Sequence, residues 1–136
     1  MAINTLWIIP NRILRINVSG LITEEAMLVL RAELFATFEA NTDKVDLVFD
    51  VTQISEIPGN AMRISLDKRA AFRHSKTGSI AVIGANPTYE IMLHSVAQVL
   101  RVTMRFFDNE AAAMNFLAEV NYQNSFETNS KRDLPK

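Results

Sequence analysis

The chain contains no cysteine. Disulfides, thiolate nucleophiles and cysteine-bound metals are therefore excluded, although this absence does not fix a compartment. Neither sign of charge dominates: 14 Lys and Arg against 15 Asp and Glu leave a net charge of −1. No global field then favours nucleic acid or an anionic membrane. No apolar run approaches the ~20 residues that span a bilayer. Met1-Ala2-Ile3-Asn4-Thr5 lacks the basic and apolar regions of a signal peptide, so a cytoplasmic protein is expected. Only four glycines occur, and none builds a Gly-rich phosphate loop. There is no Gly-x-Ser-x-Gly elbow. The two histidines, His74 and His94, have no second histidine at ligand spacing on the same helix face. No metal, no cofactor and no catalytic activity is expected.

What is present points to a fold. A chain of 136 residues with 49% apolar content suits one domain with a real core. That domain is expected over residues 1–122, with a polar, flexible tail over 123–136. The stretch Val45-Asp46-Leu47-Val48-Phe49-Asp50-Val51-Thr52 is rich in branched and aromatic residues and does not alternate cleanly. It reads as a central strand covered on both faces. It runs through Gln53-Ile54-Ser55-Glu56-Ile57 into Pro58-Gly59-Asn60, a turn signal, and then into a helical pattern. Open α/β sheets place their sites at such strand ends.

The elements around it follow in order. Leu6–Ile9 and Arg12–Val18 read as a hairpin about Pro10-Asn11, with Ser19-Gly20 breaking the second strand. Leu14, Ile16 and Val18 share one face of that strand; Arg15 and Asn17 share the other. Thr23 is the expected cap of a helix reaching about Ala40, with Met27, Leu30, Leu34 and Phe38 inside. A second helix is expected from about Asn60 to His74, then a strand over Ser79–Gly84. Pro87 opens a third helix, Met104–Phe107 is a short edge strand, and Asn109 and Glu110 open a fourth helix. The fold class is therefore α/β: a single mixed, mostly parallel sheet of about five strands with four helices, in the order β-β-α-β-α-β-α-β-α.

A strand ending in Asp-x-Ser/Thr, a short linker and a turn into a helix resembles the STAS domain of sporulation anti-anti-sigma factors. Asp50 and Thr52 match the strand end, and Pro58, Gly59, Asn60, Ala61 and Met62 fall on the turn. The resemblance implies a regulatory, non-catalytic module of the STAS/SpoIIAA-like kind that binds a protein partner. The serine those factors have phosphorylated corresponds to Gly59, so this chain lacks the acceptor there. The surface expected to meet the partner is the 54–62 loop and the following helix: Asp50, Thr52, Ser55, Pro58, Gly59, Asn60, Met62, Arg63, Arg69 and Arg73. A related group, similar to CRAL-TRIO lipid binders, implies an alternative: a carrier or sensor of a small lipophilic ligand held between sheet and helices.

Several residues carry two readings. Asp50 could serve as a base, a ligand or a phosphate-relay partner, but aspartate is also a preferred turn former. Arg69, Arg73 and Lys76 form a basic stripe that suits an acidic partner or simply a solvated helix face. Few aromatics accompany it, so nucleic acid is not expected. Met62, Met92, Met104 and Met114, with Phe72, Phe106 and Phe107, suit an adaptable lipophilic pocket or ordinary core. Trp7 and Ile9 suit a homodimer surface at the sheet edge, or core packing.

Overall fold

The computed structural model describes residues 2–66 and 70–120. Five strands form one sheet: β1 (Ala2–Ile9), β2 (Ile13–Leu21), β3 (Val45–Glu56), β4 (Thr77–Ile83) and β5 (Met104–Phe107). Their order in space is their order in sequence. β1 and β2 run antiparallel, and β2 through β5 run parallel. β3 is thus the middle strand, as its apolar composition predicts. Helices α1 (Glu24–Glu39), α2 (Gly59–Leu66) and α3 (Pro87–Leu100) connect the parallel strands, and α4 covers 110–120.

Side chains alternate across a strand, so each strand feeds two cores. Leu14 and Ile16 of β2, Leu47 and Val51 of β3 and Ile80 and Val82 of β4 pack under Leu30, Leu34 and Phe38 of α1 and Ala97 of α3. Ile13, Val48, Ala81 and Ile83 point the other way and meet Ala113 and Leu117 of α4. Three helices therefore cover one face, and α4 covers the other.

The helix starts are where their caps place them. Thr23 Oγ1 accepts the amide of Ala26 at 3.1 Å. Asn86 Oδ1 accepts that of Tyr89 at 2.9 Å, with Pro87 in the first turn. Asn109 Oδ1 accepts that of Ala112 at 2.9 Å. Each bond satisfies an amide that the helix itself leaves without a partner. The hairpin turn is also as expected: Asn11 is left-handed, and Arg12 donates to the Ile9 carbonyl at 3.0 Å.

Three expectations need correction. Ser19-Gly20 does not end β2; the strand continues to Leu21, and Gly20 at φ +76° absorbs the register shifts there. β3 does not stop near Thr52 but runs on to Glu56. The second helix does not reach His74. It is described over Gly59–Leu66, Ala70 is non-helical (φ −58°, ψ 136°), and a single 3₁₀ turn, Ala71–Arg73, leads into β4. Ala70 and Ala71 are both buried there, so packing overrides their high helix propensity. Arg69 and the 123–136 tail lie outside the described residues.

Candidate functional site

Asp50 points to the α4 face near the carboxyl end of the parallel sheet. β2 and β3 are in register there, with Arg15 beside Val48 and Asn17 beside Asp50. Arg15 therefore reaches across to the Asp50 carboxylate, Nη2 to Oδ2, at 2.7 Å. Its Nε donates to Asn17 Oδ1 at 2.8 Å, and its Nη1 pairs with Glu110 at the start of α4. The other Asp50 oxygen accepts the Thr52 amide at 3.1 Å and the Thr52 hydroxyl at 2.6 Å. One guanidinium thus joins two strands and a helix, with its donors in a fixed fork.

Partial burial alone would raise the Asp50 pKa. The Thr52 hydroxyl and amide and the Arg15 guanidinium outweigh it, so the pKa lies below the ordinary carboxylate value. Such a group is ionised at neutral pH and already engaged on both oxygens, which suits an anchor rather than a base. A depressed pKa means that its stabilisation is complete above the unfolded-state value of about 3.9 and is lost as pH falls through the folded value. Asp50→Asn should therefore lose less stability than the natural chain between pH 5 and pH 2, on the order of those limits for acid unfolding of a paired aspartate. Thermal melts across that range give the comparison. Parallel acid limbs in the two proteins would show that Asp50 does not carry this dependence.

Past the anchor, the chain makes its turn. The Ile22 amide donates to the Glu56 carbonyl at 2.9 Å and fixes the end of β3. Ile57 and Pro58 are half-buried, Gly59 and Asn60 are exposed, and Ala61, in the first turn of α2, is fully buried in the core. Ser55 and Arg63 are also exposed. A Cβ added at Gly59 meets nothing within 4 Å, so the tip has room for a side chain. Asp50, Thr52, Ser55, Pro58, Gly59, Asn60 and Arg63 therefore share one end of the molecule, and Met62 is part of α2.

Arg73 does not join them. It precedes β4, whose first residue pairs with Val45 at the opposite end of β3. The same end holds His74, which bonds Glu39 at 2.8 Å and packs against Phe35 and Phe38 of α1. Lys76 is bound to the Asn41 carbonyl. Arg73 and Lys76 therefore belong to the amino-end rim rather than to a stripe on α2. His94, on α3, contacts the side chain of Gln98 one turn further on at 3.3 Å.

Under the 54–62 loop lies a cavity of about 100 Å³ with no polar lining. Its lining includes Phe49, Val51, Ile54 and Ile57 of β3 and the turn after it, Val82 of β4, and Phe72, Leu93 and Met104. Of the methionines and phenylalanines read as possible pocket residues, Phe72 and Met104 line it. Phe106 packs in the same core, whereas Met114, on α4, and Phe107 pack against the core of the other face. Sequence reasoning overlooked Met27 and Phe49.

A family model described as SpoIIAA-like matches residues 13–118. A search of curated proteins finds no match. Among solved structures, the unphosphorylated form of the anti-sigma factor antagonist SpoIIAA superposes with a TM-score of 0.64 at 13% identity, over 87% of this chain and 97% of its own. A protein from Shewanella loihica PV-4 with a SpoIIAA-like fold gives 0.63 at 16% identity, over 85% and 92%. An anti-sigma factor antagonist from Mycobacterium paratuberculosis gives 0.57 at 17% identity, over 86% and 95%.

Proposed function

This chain belongs to the SpoIIAA-like family, and we propose that it is a non-catalytic regulatory module acting in the cytoplasm. It binds a protein partner through the 54–62 segment, where β3 turns into α2, and the rest of α2. One observation carries this reading: Gly59, Asn60 and Arg63 form an exposed, uncrowded tip on a rigid frame. The frame is rigid because Arg15, Asp50 and Thr52 fix the end of the strand that delivers the tip. Two of the solved structures with this fold are anti-sigma factor antagonists. With glycine at position 59, control of this surface does not run through a phosphoserine at that point.

A pull-down from the source cells tests the surface. Gly59→Asp and Arg63→Glu should each cut partner recovery at least tenfold, equivalent to about 1.4 kcal/mol of binding. Arg73→Glu, at the far end, should leave recovery unchanged. Position 59 has room for the new side chain, so the melting temperature should hold. Equal recovery from all three variants would remove the loop from the account.

The apolar cavity favours a second reading, a sensor of a small lipophilic molecule. A buried water occupies about 10–15 Å³ and needs two to four polar partners. This lining offers none, and the space suits a single ring or a short acyl chain. Benzene should cause saturable NMR shifts around Val51, Phe72 and Leu93, and Leu93→Phe should abolish them. Native mass spectra of protein from its own cells should carry an apolar adduct. Bare chain mass together with no response to benzene excludes this reading.

A further inference from the structure

The sheet has two edges, and the sequence treats them differently. β5 is four residues long, exposes Arg105 and is followed by the exposed Asp108. Shortness and charge are devices that keep a strand edge from recruiting another chain. β1 has neither. It runs for eight residues, Ala-Ile-Asn-Thr-Leu-Trp-Ile-Ile, with no ionisable side chain and no proline. Its inner edge is paired with β2, and among the described residues no strand pairs with its outer edge. Leu6 is 62% exposed and Ile9 44%.

We propose that the outer edge of β1 pairs antiparallel with β1 of a second copy of this chain, joining two five-stranded sheets into one. A two-fold axis presents the same open edge from both sides, so one contact closes both. Opposed residues in an antiparallel pair interact strongly, and like charges there are unfavourable. Two copies of an uncharged strand meet none. Leu6 and Ile9 gain cover in the same step, whereas Trp7, packed against the core, keeps its place.

Sedimentation velocity of the full chain tests the pairing from about 10 μM to about 1 mM, a range that spans free energies of roughly −7 to −4 kcal/mol. The natural chain should pass from one chain mass to two as concentration rises. Thr5→Lys with Leu6→Lys changes two exposed residues, one on each face of the strand, and should remain at one chain mass throughout with an unchanged melt. Amide exchange within β1 should slow with concentration in the natural chain only. A natural chain that stays monomeric over the range overturns the proposal, as does a double variant that associates equally well.

Discussion

Gly84→Ala should lower unfolding free energy by about 2–4 kcal/mol, the scale of a strained backbone position combined with a steric clash. Gly84 ends β4 with φ +80°, a conformation that side chains disfavour. A Cβ there would also fall under 3.0 Å from the Thr52 hydroxyl and 3.1 Å from Thr52 Cα and Cβ. The close approach exists because the parallel register brings the end of β4 against the Asp50–Thr52 stretch of β3, with Asp50 beside Ile83. Any relief by displacing Thr52 would break its hydroxyl bond to Asp50 and loosen the anchor that Arg15 completes. The effect should therefore exceed the cost of backbone strain alone. Thr52→Ala in the Gly84→Ala background should recover only part of the loss, because Cβ at position 52 and the positive φ both remain. Denaturant melts of the single and double variants measure this coupling. A Gly84→Ala protein within about 0.5 kcal/mol of the natural one would show that the two strand ends are not locked together.

That junction was only half legible in the sequence. The central position of β3 could be read from its unbroken apolar character, since only a strand covered on both faces tolerates it. Thr23, Asn86 with Pro87, and Asn109 announce their helices through local hydrogen bonds that need no distant partner. The Arg15–Asp50 pair needs one, 35 residues away. Its signal was nonetheless present: the one charged residue of β2, on the face it shares with Asn17, and an aspartate two residues from the end of the central run. Two such charges on one covered face must find each other or water. No local signal marks the close approach at Gly84, and only the register of the sheet reveals what it faces.

The overlong second helix failed for the opposite reason. Alanine and leucine continue a helical pattern, and no proline or glycine stops it before Gly78. The break at Ala70 is imposed by where the chain must go. It returns from the carboxyl end of the sheet to the amino end to start β4, and Ala70 and Ala71 are buried on the way. Local preferences of a few tenths of a kcal/mol cannot resist burial terms several times larger. Arg73 and Lys76 lie on the amino-end rim instead of on that helix, and among the described residues the candidate surface is the loop tip with Arg63.

Leu117→Ala should cost about 2–5 kcal/mol, the range for removing a fully buried leucine from a core. The larger interest is where the loss appears. The face under α1, α2 and α3 is shared by three helices, so a deletion there is distributed over several elements. Among the described residues α4 is the helix that covers the opposite core, chiefly through Ala113 and Leu117, both with no exposed surface. Leu117 meets the layer of Ile13, Val48, Ala81 and Ile83, while Met114 and Phe116 pack at its margin, Phe116 against Phe107 with ring centroids 5.5 Å apart, and the Asn109 cap and the exposed Glu110 contact to Arg15 tie down the start of the helix. An exposed ion pair contributes only about 0–1 kcal/mol. Removing the leucine should thus undock α4 before the sheet opens. Amide exchange should accelerate about a hundredfold or more along 113–120, equivalent to about 2.7 kcal/mol. Val48 and Leu47 at the sheet centre should keep rates set by global unfolding, which mark the cost to the fold as a whole. Equal acceleration in α4 and in β3 would mean that the helix is an inseparable part of the cooperative unit.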